Sequence, residues 1–135
     1  MSFENHKNTS KKKILLAEDD DSMRRFVEVI LQKANYDVVS TEDGLAALKA
    51  ALENEIDAVI ADAVMPNMTG YDLCRMLRQN PNNKHLPIII LSGLNQDKEA
   101  NSKNCLANAY LMKGKNLNAE ITKTLSNLLA EKVKT

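Results

Sequence analysis

Aromatic side chains are scarce in this 135-residue sequence, at 4%, and tryptophan is absent. Surfaces that stack on nucleic-acid bases or sugar rings need such side chains, so the composition argues against both functions. Cysteine is also rare. The two cysteines, Cys74 and Cys105, are far apart in the sequence and form no C-x-x-C motif or metal-binding spacing. We expect both to be thiols, either buried or without a role, in a reducing cytoplasm.

Long apolar runs are missing too. None approaches the roughly 18 residues that a membrane span needs, and the polar start does not resemble a signal peptide. Formal charge is zero, but residues 1–13 hold four lysines and one acid, so the remainder carries 14 basic against 17 acidic residues. No broad positive surface results, and we expect a cytoplasmic protein with no membrane insertion and no direct nucleic-acid binding.

What the sequence does contain is typical of one globular domain. Apolar residues make up 44% and charged residues 27%, and the length suffices for a substantial core. Residues 1–12 are polar and lack periodicity, which predicts a disordered tail. The domain is predicted to occupy residues 13–134.

Five apolar runs alternate with helical patterns along this domain. The runs are residues 14–17, 36–41, 58–61, 88–91 and 110–112. Most are continuously apolar, as in strands whose two sheet faces are both covered. This order predicts an α/β protein with a doubly wound, five-stranded parallel sheet.

Apolar residues at helical spacing predict the inner face of each helix. From the first helix to the third they are Met23, Phe26, Val27, Ile30, Leu31 and Ala34; Leu45, Leu48 and Leu52; and Leu73, Met76 and Leu77. A weakly patterned fourth helix covers residues 95–108, and a last helix presents Leu117, Ile121, Leu125, Leu128 and Leu129. Asp21 or Ser22 is expected to cap the first helix, and Thr69 with Asp72 forms a capping box for the third.

Polar groups follow most of the strands. Glu18 and Asp19 come after the first, Asp62 after the third, Ser92 after the fourth and Lys113 after the fifth. In doubly wound sheets such groups gather at the carboxyl ends of the strands. Three carboxylates, a hydroxyl and an ammonium group are therefore expected along one edge of the sheet.

These groups fit phosphoryl chemistry with magnesium. Packed carboxylates repel one another unless a cation or protons compensate, and Mg²⁺ prefers oxygen ligands. A hydroxyl and a lysine suit the oxygens of a phosphoryl group. Asp62 stands alone on the central strand and is the candidate nucleophile, since a carboxylate can form an acyl phosphate.

Four motifs in this order resemble the receiver domain of two-component response regulators, from residue 13 to about 133. They are ILLAEDDDSMRR, VIADAVMPNMTG, PIIILSG and AYLMK. The resemblance implies a flavodoxin-like (βα)5 receiver fold. It also implies that Asp62 accepts a phosphoryl group from the phosphohistidine of a sensor histidine kinase or a phosphotransfer protein.

The same resemblance implies roles for the neighbouring residues. Asp19, Asp62 and the backbone carbonyl of Val64 are expected to ligate Mg²⁺, with Glu18 acting through water. Ser92 and Lys113 are expected to bind the phosphoryl oxygens. Tyr110 matches the aromatic residue that reorients when Ser92 is drawn towards the phosphoryl group, so Ser92 and Tyr110 form the predicted switch.

Two residues depart from the family pattern. Gly114 replaces the usual proline after Lys113, which predicts a trans peptide bond and a looser loop. Leu106 stands where the family often has glycine, so the turn before the fifth strand is expected to be made differently. Val64 and Leu94 are apolar where polar neighbours hold an attacking water, which predicts slow self-dephosphorylation.

The sequence thus predicts a single-domain, CheY-like response regulator that is not a turnover enzyme. It is expected to signal through the fourth predicted helix, the fifth strand and the last helix. A phosphorylation-independent adaptor of the same fold is the main alternative. A magnesium-dependent aspartyl phosphatase is less favoured, since Val64 is not the second acid such an enzyme needs. A flavodoxin-like electron carrier would need a hydroxyl-rich phosphate loop after the first strand, which is absent.

Overall fold

A parallel five-stranded sheet forms the centre of the protein. The computed structural model describes residues 11–93 and 105–134, with side chains up to residue 130. The strands are β1 (Lys13–Ala17), β2 (Asp37–Thr41), β3 (Ala58–Asp62), β4 (Ile88–Ser92) and β5 (Ala109–Met112). They lie in the order β2-β1-β3-β4-β5. The predicted doubly wound α/β fold is confirmed, and the strand order reverses beside β1 and β3, where such folds bind ligands.

Helices cover both faces of the sheet. They are α1 (Asp21–Lys33), α2 (Gly44–Glu53), α3 (Gly70–Gln79) and the C-terminal helix α4 (Leu117–Lys134), with a 3₁₀ turn at Pro81–Asn83. The helix predicted over residues 95–108 lies mostly outside the described residues, and 105–108 form irregular backbone. None of the described helices is both long and apolar enough to cross a membrane.

The apolar runs of β1, β3 and β4 are buried on both faces, as predicted, whereas the edge strands β2 and β5 are only partly buried. One face of the sheet packs with α2 and α3, through residues such as Val59, Leu73 and Leu77. The opposite face packs with α1 and α4, through residues such as Ile60, Leu31 and Ile121. Because successive strand residues point to opposite faces, the two clusters share each strand between them. The stripe predicted for the last helix is confirmed, with Leu128 partly buried.

Several large side chains predicted to face inward are instead exposed. They are Phe26, Leu45, Leu52 and Met76. In α2 the buried residues are the small Gly44 and Ala47, so that helix lies close to its neighbours; of its leucines, only Leu48 packs against the core. In α3 the buried face centres on Leu73, Cys74 and Leu77.

Helix α1 begins one residue earlier than predicted. Its cap is Asp20, whose carboxylate accepts a hydrogen bond of 2.8 Å from the backbone N–H of Met23. Asp21 and Ser22 are therefore inside the helix, and the predicted caps are wrong. The cap predicted for α3 is correct, because the Thr69 hydroxyl accepts from the N–H of Asp72 at 3.0 Å.

The turn before β5 was predicted to be made differently because Leu106 replaces the usual glycine. That prediction is wrong, because the leucine takes up a glycine-like backbone conformation. Leu106 itself adopts a φ of 65°, the left-handed conformation that glycine occupies without strain. Its side chain is 67% exposed, so no burial compensates for this conformation. The Nε of Arg78 donates to the Leu106 carbonyl at 3.0 Å and helps hold the turn.

Cys74 and Cys105 are both buried thiols, as predicted, but they are also neighbours. The Sγ of Cys74 donates to the backbone carbonyl of Cys105 at 2.9 Å. Hydrogen bonding to Cys105, followed by burial, raises the pKa of the Cys74 thiol. The contact joins α3 to the residues that precede β5.

Candidate functional site

The carboxyl ends of the strands bring the predicted polar residues to one edge of the sheet. Glu18 follows β1, Asp62 ends β3, Ser92 ends β4 and Lys113 follows β5. The side chains of Glu18, Asp62 and Ser92 are buried, whereas Asp19 is exposed. Packing of α3 against β3 is very close here, since a methyl group on Gly70 would overlap the carbonyl oxygen of Asp62.

Three carboxylates form a compact cluster at this edge. Glu18, Asp19 and Asp62 each offer an oxygen, and these oxygens lie within 4.8 Å of one another. The Oε2 of Glu18 accepts from the N–H of Asp20 at 3.1 Å. Its Oε1 is buried and accepts no hydrogen bond from the described residues. This oxygen does form an ion pair with the Nζ of Lys113, at 3.3 Å. A buried carboxylate within an all-oxygen cluster fits a hard cation such as Mg²⁺.

Burial and repulsion also change the protonation of the cluster. Burial is the largest cause that raises the pKa of Glu18, to about 7, followed by its hydrogen bond with Asp62 and the charge of Asp62. The N–H of Asp20 and the charge of Lys113 act in the opposite direction. In the absence of a cation, Glu18 is therefore partly protonated near neutral pH.

Lys113, which follows the edge strand β5, reaches across to the carboxylate cluster. Its Nζ lies 2.9 Å from Oδ2 of Asp62 and 3.3 Å from Oε1 of Glu18. Burial lowers the pKa of this ammonium group, but the hydrogen bond and charge of Asp62, together with Glu18, outweigh burial and raise it. The Lys113–Gly114 bond is trans, as predicted. The lysine head nevertheless contacts Asp62, even without the proline.

Val64 and Gly93 flank the Asp62 carboxylate. The side chain of Val64 is 75% exposed at the mouth of the site, and its N–H lies 3.4 Å from Oδ1 of Asp62. Across the site, a methyl group on Gly93 would meet nothing within 4 Å in the described part of the chain. Leu94, the other apolar residue predicted to slow dephosphorylation, lies outside the described residues.

The predicted switch residues occupy neighbouring strands. Ser92 ends β4, and Tyr110 lies on β5 opposite Ile90. The Tyr110 hydroxyl accepts a hydrogen bond of 3.2 Å from the N–H of Ala107. Burial, followed by the charge of Cys105, raises the pKa of Tyr110 to about 12. The tyrosine is thus attached to the same turn that contains Leu106.

Two arginines, Arg24 and Arg78, hold loops near the site through hydrogen bonds that the sequence did not predict. The side chain of Arg24 is 16% exposed and bonds to the loop that holds the acidic pair. Arg78 was not singled out, yet its guanidinium group donates to the carbonyls of Asn83, Leu86 and Leu106 and to the side chain of Asn108. A sequence signal existed for Arg24 alone, in its spacing of three residues from Asp21.

Comparisons with known proteins agree on one family. The family model described as "Response regulator receiver domain" matches residues 14–125. The response regulator ArlR of Staphylococcus saprophyticus is 41% identical over 80 residues, which cover 59% of this chain. The matched region is 35% of ArlR, so this chain aligns with about a third of that protein.

Solved structures show the same architecture. The receiver domain of the sensor histidine kinase PA1611 from Pseudomonas aeruginosa PAO1 has a TM-score of 0.83 at 29% identity, covering 90% of this chain and 99% of that one. That structure has a magnesium ion coordinated in its active site cleft. The chemotaxis response regulator CheY4 of Vibrio cholerae has a TM-score of 0.80 at 31% identity, covering 88% of this chain and 99% of that one.

Proposed function

Since the chain belongs to the response regulator receiver family, we propose that it is a phosphoacceptor whose nucleophile is Asp62. The donor is the phosphohistidine of a sensor histidine kinase or a phosphotransfer protein. One observation carries the proposal: the buried Asp62 carboxylate clusters with Glu18 and Asp19 and also contacts the ammonium group of Lys113, at the carboxyl edge of the sheet. Such a set both binds a cation and neutralises phosphoryl oxygens.

Asp19, Asp62 and the carbonyl of Val64 would hold Mg²⁺, with Glu18 acting through water. When bound, the ion neutralises the carboxylates and the phosphoryl oxygens. An Asp62 oxygen attacks phosphorus, the phosphorus–nitrogen bond of the phosphohistidine breaks, and an acyl phosphate forms. Lys113 and Ser92 bind the oxygens of the transferred group. Asp62 cannot pair with Lys113 as before, so the ammonium group moves to the phosphoryl oxygens.

Signalling follows from this transfer. We expect Ser92 to move towards the phosphoryl group and Tyr110 to reorient, which shifts a two-state equilibrium. The output surface comprises β5, the C-terminal helix and the fourth predicted helix, which lies outside the described residues. We propose that residues 13–134 are the receiver domain and 1–12 a tail. The domain catalyses only its own phosphorylation and dephosphorylation, in the cytoplasm, where its free thiols remain reduced.

A small phosphodonor tests this function without knowledge of the kinase. The protein is incubated with acetyl phosphate, with and without Mg²⁺, and the covalent adduct is measured by intact mass. Asp62→Asn should abolish the adduct, as should omission of Mg²⁺. Asp57→Asn is the matched control. Asp57 lies just before the first residue of β3, at the end of the strand away from the site, and accepts a hydrogen bond from the N–H of Lys13.

The control is expected to form the adduct like the unsubstituted protein. If no adduct depends on both Asp62 and Mg²⁺, the chain is a phosphorylation-independent adaptor instead.

A further inference from the structure

Arg24 extends from the first turn of α1 back over the loop that holds the acidic pair. Its Nη1 donates to the backbone carbonyl of Glu18 at 2.9 Å. Its Nη2 forms an ion pair with Oδ1 of Asp21 at 2.6 Å. The next residue, Arg25, is 68% exposed and, among the described residues, forms only a longer ion pair with Glu28, at 3.3 Å. The two adjacent arginines therefore differ sharply in what they contact.

The carbonyl that Arg24 holds belongs to the peptide group joining Glu18 to Asp19. That group determines the direction in which both carboxylates leave the backbone. On its other side, the N–H of Glu18 donates to the carbonyl of Thr41 at 3.1 Å. The backbone at Glu18 is thus fixed at both its N–H and its carbonyl. Arg24 supplies the second of these contacts.

We propose that Arg24 is a positioning residue for Mg²⁺ binding, which orients the carboxylates of Glu18 and Asp19 by holding the peptide group between them. This inference rests on the proposed function, because it concerns the same cation. The exposed Asp21 in turn orients the guanidinium group. The ion pair between Arg24 and Asp21 contributes little to the stability of the fold, since exposed ion pairs are weak.

Charge and positioning predict opposite effects on the cation. Arg24 is positive and lies next to the acidic cluster, so its charge alone repels Mg²⁺. Neutralising it would then tighten Mg²⁺ binding, and replacing it with lysine would change little. If Arg24 acts by positioning, both substitutions weaken binding, because neither side chain reproduces the two-pronged contact of a guanidinium group.

The experiment measures the dissociation constant for Mg²⁺ by isothermal titration calorimetry in the whole chain. Variants Arg24→Gln and Arg24→Lys are compared with the unsubstituted protein, and Arg25→Gln is the matched control. We expect both Arg24 variants to bind Mg²⁺ about tenfold more weakly, a typical effect of losing a group that orients metal ligands. Arg25→Gln should bind as the unsubstituted protein does. Circular dichroism in EDTA establishes that each variant is folded.

Phosphorylation by acetyl phosphate supplies a second readout. Saturating Mg²⁺ should restore labelling of the Arg24 variants to the rate of the unsubstituted protein. Equal or tighter Mg²⁺ binding by Arg24→Gln, unchanged binding by Arg24→Lys, or labelling that saturating Mg²⁺ does not restore would each overturn the positioning role. If the unsubstituted protein itself bound no Mg²⁺, the proposed function would fail, which is a distinct result.

Discussion

Leu106 is the residue whose backbone conformation fits its side chain least well. A left-handed φ costs an L-residue roughly 1–2 kcal/mol, whereas asparagine tolerates it better. The other non-glycine residues with positive φ in the described chain are both asparagines, Asn35 and Asn67. Leu106 is largely exposed, so little apolar burial offsets the strain.

Replacing Leu106 with glycine should therefore stabilise the protein. We expect a gain of about 1 kcal/mol in the free energy of unfolding, since relief of strain exceeds the entropy that glycine adds to the unfolded chain. Urea unfolding followed by circular dichroism measures it. Asn35→Gly is the control and should gain less. A destabilised Leu106→Gly variant would show that the leucine side chain has a packing role.

Val64 is the residue expected to set the lifetime of the phosphorylated state. Its exposed, apolar side chain at the mouth of the site offers no hydrogen bond to an attacking water. We expect phosphorylated protein to persist for minutes rather than seconds, and Val64→Asn to dephosphorylate several-fold faster. Val64→Ala stays apolar and should be close to the unsubstituted protein. The decay is followed by intact mass after the phosphodonor is removed, and loss within seconds would contradict the hypothesis.

Among the elements, α3 packs very closely against the strand that ends in Asp62. It begins at Gly70, whose N–H donates to the carbonyl of Ala63 at 3.0 Å. Since a methyl group at Gly70 would overlap the Asp62 carbonyl, the helix can start here only without a side chain. The end of β3, and with it Asp62, is thereby fixed against α3.

Gly70→Ala should push α3 away from β3. We expect a loss of about 1–3 kcal/mol in the free energy of unfolding, typical of overpacking, together with slower phosphorylation by acetyl phosphate. Gly114→Ala is the control for stability, because a methyl group there meets nothing within 4 Å in the described chain. If Gly70→Ala were as stable as Gly114→Ala, the close contact would not matter to the fold.

Elements were predicted well where the pattern was strong. The apolar runs, most of them continuous, located all five strands, and Thr69 located the start of α3. On the inner face of α2, Leu48 was predicted correctly, but Leu45 and Leu52 are exposed and the buried residues are Gly44 and Ala47. Hydrophobicity favours leucine over such small residues. Contacts between distant segments, such as Cys74 with Cys105, depend on how α3 lies against the residues before β5. A local sequence pattern does not predict this packing between distant segments.

For the whole molecule, the acidic site links stability to pH and to the cation. The pKa of Glu18 is about 7 in the folded state, against an ordinary value of 4.5. The folded state therefore holds this proton more tightly than the unfolded state between these two values. The stabilising contribution of protonated Glu18 is full below about pH 4.5 and is lost as the pH rises through about 7.

Glu18→Gln replaces the carboxyl group with an amide that does not titrate, so it removes the contribution of Glu18 to the pH dependence of stability. In EDTA, the unsubstituted protein should lose up to about 3 kcal/mol of stability relative to the variant between pH 4.5 and 7, on the order of the pKa difference. Urea unfolding at several pH values measures the difference. Saturating Mg²⁺ should reduce the loss, because it stabilises the ionised carboxylates. A difference that is independent of pH in EDTA would contradict the raised pKa.

Of the residues predicted for the site, Glu18, Asp19, Asp62, Ser92 and Lys113 lie at one edge of the sheet, because parallel strands place their carboxyl ends together, whereas Tyr110 lies within β5. Their chemistry rests on Asp62. The phosphorylated protein is reduced with sodium borohydride, which converts an aspartyl phosphate to homoserine, and the position is read by tandem mass spectrometry. We predict homoserine at position 62 only, and none without Mg²⁺. Homoserine at another acidic position, or its absence after labelling, would contradict the assignment of Asp62 as the phosphoacceptor.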